Sequence, residues 1–149
     1  MRSIRILFTL LLCVSSVAAF AQISVEYGEG AGKVGYFNEK NHPGVEEPYP
    51  IGPLAFRLDG EHIWVADSIG AKMLKLDRSS KVVSEFAVVA SPAECLIEDF
   101  ALVKDETGTT KSVWIIDGIN KKLVHFDVAG TKLGEIVNEA LVQPFRVEA

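Results

Sequence analysis

Ile63-Trp64-Val65-Ala66-Asp67-Ser68-Ile69-Gly70, continuing Ala71-Lys72-Met73-Leu74-Lys75-Leu76-Asp77, returns fifty positions later. The second copy reads Val113-Trp114-Ile115-Ile116-Asp117-Gly118-Ile119-Asn120, then Lys121-Lys122-Leu123-Val124-His125-Phe126-Asp127. Trp64 aligns with Trp114, Asp67 with Asp117, Ile69 with Ile119, Lys72 with Lys122 and Asp77 with Asp127, without a gap. So many identities at one offset mark an internal repeat, the first thing to settle in any chain because it decides the architecture.

Each copy has the same physical layout. His62 to Ala66 and Ser112 to Ile116 are short runs rich in β-branched and aromatic residues, which predicts buried strands. Asp67-Ser68-Ile69-Gly70 and Asp117-Gly118-Ile119-Asn120 supply turns: Asp bonds nearby backbone amides, and Gly and Asn tolerate positive φ. Met73–Leu76 and Leu123–Phe126 read as partner strands, Val82–Phe86 and Lys132–Ile136 as further strands, and Leu54–Leu58 and Phe100–Val103 as the strands that lead in. The connection Asp59-Gly60-Glu61 is short, whereas Lys104 to Lys111 reads as a longer polar loop that lengthens the period. Helical periodicity is weak. Four short antiparallel strands per unit, repeated every 40 to 50 residues, predict an all-β chain: a partial β-propeller of about two to three four-stranded antiparallel blades. The first blade core spans 53–90 and the second 97–138; Gln143-Pro144-Phe145-Arg146-Val147 matches Leu54-Ala55-Phe56-Arg57-Leu58 and reads as the start of a third at 143–149.

The blade pattern resembles the NHL type, with hydrophobic-Val-Ala-Asp-Ser followed by a strand ending in Asp. Pro53, Ala55, Asp59, Gly60, Val65, Ala66, Asp67, Ser68 and Gly70 fit it, and Asn120 restores the usual turn residue in the second copy, where Ile116 and Gly118 depart. Tyr27-Gly28-Glu29-Gly30-Ala31-Gly32 resembles the Gly-rich outer strand and loop that precede such blades. The resemblance implies a six-bladed array. Further blades are then expected from a longer chain, of which this is the N-terminal part, or from self-association of copies.

The N-terminus carries an address. Met1-Arg2-Ser3-Ile4-Arg5 is basic, Ile6–Leu12 is apolar, and Ala19-Phe20-Ala21 is an A-x-A cleavage pattern, so residues 1–21 are expected to be a signal peptide. Leu12 stands before Cys13 where a lipoprotein signal wants a small residue. The protein is therefore expected to be exported, periplasmic or extracellular. No later stretch is long and apolar enough to span a bilayer.

The chain has 149 residues, 48% hydrophobic and 23% charged, which fits one folded domain and is too apolar for a disordered segment. Its net charge is −5; without Arg2 and Arg5 it has 13 basic and 20 acidic side chains, a net −7. That balance lacks the basic face needed to neutralise phosphates, so no nucleic-acid partner is expected. After cleavage only Cys95 remains, beside Leu96 and Ile97, so it reads as a small buried apolar residue and the fold relies on its core.

The chemical motifs are weak. Gly30-Ala31-Gly32-Lys33-Val34-Gly35 satisfies G-x-G-x-x-G, but Tyr36-Phe37-Asn38-Glu39-Lys40-Asn41-His42-Pro43-Gly44 follows, which cannot open the helix a dinucleotide site requires. Asp67 and Asp117 read as turn caps, with paired carboxylates or calcium ligation as the sharper alternative. His42, His62 and His125 lack metal-ligand spacing. Lys72, Lys75, Lys121 and Lys122 read as solvent-facing, and Trp64 and Trp114 as packing between blades. Trp64, Asp67, Gly70, Trp114, Asp117 and Asn120 are thus structural repeat positions; no catalytic residue, cofactor or metal is assigned. Residues 38–50, with three prolines, are the expected contact surface.

The function expected is a binding or scaffold module for a protein, peptide or glycan. The alternative is a hydrolase of the sugar-lactone lactonase type, whose propellers resemble NHL arrays and hold a divalent metal in the central channel. In those enzymes a metal-binding Glu stands where this chain has Ile51, within Pro50-Ile51-Gly52-Pro53. A third reading, a peptidyl-amide lyase-like propeller, also needs His and Tyr ligands, to which no residue of this chain is assigned.

Overall fold

The structure, a computed structural model, describes residues 22–36, 52–137 and 147–148. Residues 1–21, the loop 38–50, Ile51, His42 and most of 143–149 lie outside the described residues. Among the described residues eight strands form: β1 Ala55–Asp59, β2 His62–Asp67, β3 Lys72–Asp77, β4 Val82–Ala87, β5 Ile97–Lys104, β6 Thr110–Asp117, β7 Lys122–Asp127 and β8 Lys132–Val137. The single helical element among the described residues is the 3-10 turn Pro92–Glu94, between β4 and β5. The strands make two antiparallel four-stranded sheets, ordered β1-β2-β3-β4 and β5-β6-β7-β8. This is the repeat made solid: an all-β fold of two stacked meanders, a partial β-propeller.

Local chemistry sets the turns. β1 and β2 meet through Gly60-Glu61, with Gly60 at φ +60, the positive angle a two-residue hairpin turn requires. Three other hairpins share one device. Asp77 Oδ1 accepts from the Ser79 and Lys81 amides, Asp105 Oδ1 from those of Thr107 and Thr109, and Asp127 Oδ1 from those of Ala129 and Thr131. The stretch 104–111 therefore narrows to the turn Asp105–Thr109, still longer than Gly60-Glu61. Asp105 closes the turn early, Lys104 and Thr110–Lys111 are strand residues, and β5 and β6 run to eight residues each. The lead-in also differs from expectation. Residues 27–34 are a tight loop bridged by Tyr27 and Val34, with Gly28, Gly30 and Gly32 at positive φ, and not an outer strand.

These aspartates give the fold an acid limb. The Ser79 hydroxyl and Lys81 amide hold the Asp77 carboxyl below its ordinary range, and the Thr131 amide does the same for Asp127. The Thr107 hydroxyl and Lys111 lower Asp105. Depressed folded-state values mean that the stabilisation is complete above the ordinary carboxylate range and is lost as pH falls through the lowered values. The urea midpoint is expected to hold from neutrality to about pH 4 and to fall below it. Asp127→Asn should lower the neutral midpoint and flatten that acid limb. An unchanged limb would contradict the capping role.

Strand alternation gives each sheet two faces. The cross-strand register puts Ala55, Trp64, Ala66, Met73 and Phe86 on the front of the first sheet. It puts Phe100, Leu102, Val113, Ile115, Val124 and Phe126 on the back of the second. These two faces pack together and form the core. Trp64, Met73, Phe100, Val113 and Ile115 are fully buried there, each contributing about 1.5–3 kcal/mol. Phe86 and Phe126 meet across the interface with ring centroids 5.4 Å apart. At the inner strands the Arg57 guanidinium bonds Asp99 and lies 5.2 Å from the Phe100 ring, while Lys104 Nζ reaches Asp59 at 3.0 Å.

One turn residue carries removable strain. Lys121 is exposed at φ +50, at the repeat position of Ala71, φ +48. Left-handed backbone is costly with a Cβ, so Lys121→Gly should stabilise by about 0.5–1 kcal/mol, partly offset by unfolded-state entropy. That raises Tm by about 2–4 °C in a thermal melt.

Candidate functional site

The β2–β3 and β6–β7 turns lie at the same end of neighbouring sheets, and each is organised by a buried aspartate. Asp67, 1% exposed, accepts from the Gly70 amide at 2.7 Å and the Gly35 amide at 2.9 Å. Asp117, fully buried, accepts from the Asn120 amide at 3.2 Å and its side-chain Nδ2 at 2.7 Å. Gly70 and Asn120 thus occupy one repeat position and solve one problem in two ways. Where Asn120 carries its own second donor, Gly70 has none, and the chain borrows the Gly35 amide from upstream. A Cβ on Gly70 would come within 2.2 Å of Asp67 Oδ2, so the position needs glycine.

Lys121 is exposed as expected, but the other three lysines are held. Lys72 Nζ donates to the Gly30 carbonyl at 2.7 Å and faces Glu85 at 3.8 Å; Lys122 Nζ faces Glu135 at 3.7 Å and Asp117 at 3.9 Å. Glu85 and Glu135 are also fifty residues apart, so this ion pair belongs to the repeat. Lys75 places its ammonium 5.3 Å from the Trp64 ring. Packing across the strands, rather than solvent, takes these side chains, because cross-strand neighbours sit within reach of a four-carbon stem.

The two tryptophans separate. Trp64 is 1% exposed, within the inter-sheet core, with Nε1 donating to Asp59 at 3.2 Å. Trp114 lies on the front of the second sheet, half-buried and stacked on His125 with centroids 4.3 Å apart and planes 6° apart. Among the described residues no sheet covers that face. His125 Nε2 shares a hydrogen bond with Ser112 Oγ at 2.8 Å.

Cys95 is buried, and burial together with the Asp117 charge pushes its thiol up to about 12. It is a thiol at neutral pH, without thiolate reactivity. Among the described residues no group of three or more His, Cys, Asp or Glu side chains is placed to hold a metal ion. The Asp67 and Asp117 oxygens face turn amides.

Pairing of Gly35 with Asp67 creates a cleft of about 640 Å³ between segment 22–36 and the β2–β3 turn. Its walls include Tyr27, Tyr36, Ile69, Lys72 and Pro92. Tyr27 is 61% exposed and meets Tyr36 with centroids 5.0 Å apart, tilted by 47°. Nothing in the repeat marks this cleft, since it depends on a backbone amide 32 residues from its acceptor. The available signal was the pair Tyr27 and Tyr36 flanking a glycine-rich run.

No family profile matches the chain, and no curated protein matches it. Among solved structures it is similar to AztD from Citrobacter koseri (19% identity, 64% of this chain and 26% of that one, TM-score 0.48). It is also similar to hydrazine synthase from Kuenenia stuttgartiensis (19%, 68% and 26%, TM-score 0.47) and to the Pan2 WD40 domain from Neurospora crassa (14%, 60% and 25%, TM-score 0.45). The chain spans about a quarter of the length of each of these structures. Among the described residues no helix is long and apolar enough to cross a membrane.

Proposed function

We propose that this is an exported β-propeller module of the NHL type, within a six-bladed array, that binds a protein, peptide or glycan and carries out no chemistry of its own. The signal-peptide pattern of residues 1–21 supports export. The observation that carries the binding role is the cleft beside Asp67. It is concave, lined by two tyrosines and an isoleucine, and supplied with fixed polar groups by the glycine-rich segment. Tyrosine is suited to such a surface, since it presents a large rigid face at low entropy cost and stacks on sugar rings, prolines and aromatic side chains. Asp67 and Lys72 hold the cleft's shape, through the Gly70 and Gly35 amides and the Gly30 carbonyl.

The test is binding of the purified chain to peptide and glycan arrays, repeated with Tyr27→Ala. The module reading expects ligands whose affinity drops about tenfold in the variant, the loss of about 1.4 kcal/mol at a contact aromatic. Absence of any ligand, or ligands indifferent to the substitution, would overturn it.

A further inference from the structure

Among the described residues the charged side chains that line the Tyr27–Tyr36 cleft are Glu29, Asp67 and Lys72. Two of them are committed to the fold. Asp67 is buried and takes the Gly70 and Gly35 amides, while Lys72 Nζ donates to the Gly30 carbonyl at 2.7 Å and faces Glu85 at 3.8 Å. Glu29 differs. It is exposed, and among the described residues its carboxylate has no hydrogen-bond or ion-pair partner. Lys33, the one cation of residues 22–36, is paired with Glu26 at 3.2 Å. The charge left for a ligand is therefore negative. It stands beside two tyrosine rings whose centroids are 5.0 Å apart and whose planes are inclined by 47°. The Tyr27 ring is the open one, at 61% exposure.

We propose that the cleft takes a positively charged side chain presented by a peptide, and that the tyrosine pair and the Glu29 carboxylate are its contacts. This rests on the cleft being the binding surface, and narrows its ligand to a basic peptide. An aromatic ring is negative over its faces, so it attracts an ammonium or guanidinium group, the more so where water is partly excluded. A carboxylate at the rim adds a direct Coulomb attraction to the same group. An anionic ligand meets the opposite balance, because Lys72 is held and Glu29 repels it. A neutral glycan gains from the rings but nothing from the charge of Glu29, and the other charged side chains of the lining are already bonded. Ile69 and Pro92 offer apolar surface to the stem of a long cationic side chain or to a neighbouring proline. The net charge of −5 draws a basic partner toward the chain as a whole.

The experiment is an NMR titration of the full chain with the capped peptide Gly-Gly-Pro-Arg-Pro-Gly-Gly, and with the same peptide carrying citrulline, the uncharged isostere of arginine, at its centre. Concentrations up to about 10 mM detect weak binding. The arginine peptide is expected to shift the Gly28 and Gly30 amides at the cleft wall. The citrulline peptide should bind about tenfold more weakly. Raising NaCl from about 20 to about 500 mM should weaken the arginine peptide and leave the citrulline peptide unchanged. Glu29→Gln, an isosteric change at an exposed site, should weaken the arginine peptide about threefold and the citrulline peptide not at all. Tyr27→Phe keeps the ring face and should keep binding, whereas Tyr27→Ala should lose about tenfold. Equal affinity for the arginine and citrulline peptides would overturn the inference, as would an arginine peptide indifferent to Glu29→Gln or one that does not bind. Should neutral array ligands still depend on Tyr27, the module reading stands and only this inference falls; absence of any ligand removes both.

Discussion

Trp64→Ala is expected to cost about 3–5 kcal/mol, while Trp114→Ala, at the identical repeat position, costs about 1 kcal/mol or less. Trp64 is 1% exposed among Met73, Phe100 and Val113, and truncating it opens a large cavity in the contact that joins the sheets, while leaving Asp59 without its indole donor. Trp114 is partly exposed and outside the inter-sheet core, so it loses its stack on His125 and a smaller buried area. Against a total stability of about 5–15 kcal/mol, the first change leaves the protein marginal and the second leaves it folded. Urea unfolding at low protein concentration measures both. Equal losses would mean that the two tryptophans share one environment, which front-to-back stacking forbids.

The second large effect comes from Asp67→Ala. The carboxylate satisfies two amides, Gly70 and Gly35, in a site that is nearly sealed. Removing it strands both donors at about 1–3 kcal/mol each, so the expected loss is about 2–6 kcal/mol. It should also release segment 22–36, read as loss of hydrogen-exchange protection at the Gly35 amide. Asp117→Ala should cost a similar amount and leave the Gly35 amide protected, because its partners are the amide and side chain of Asn120. Release of segment 22–36 by both variants, or by neither, would show that Asp67 is not its clasp.

The architecture was legible because the repeat is gapless where strand, turn and strand must keep one geometry. Trp64 to Asp77 and Trp114 to Asp127 carry the same apolar alternation and the same turn aspartates, and the strands follow within one to three residues of expectation. Legibility failed where partners are distant or where hydrogen bonds stand in for side chains. The loop expected at 104–111 shrinks because Asp105 caps its own turn, a local bond that a polar composition disguises. Lys72, Lys122 and Lys75, expected in solvent, are held by Glu85, Glu135 and the Trp64 ring, and such pairings depend on which face of each strand is turned inward. Trp64 and Trp114 are indistinguishable in sequence. Only the direction of stacking decides which is enclosed. The cleft was out of reach for the same reason, since it exists only because the Gly35 amide completes the Asp67 turn.

The central claim is that the two meanders are neighbouring blades packed front to back, and a nuclear Overhauser contact between the rings of Phe86 and Phe126 tests it most directly. They belong to different sheets, to β4 and β7, with centroids 5.4 Å apart. Strong ring-to-ring cross-peaks that vanish in Phe86→Leu are the expected result. Intact cross-peaks within each sheet, with none between these two rings, would contradict the account.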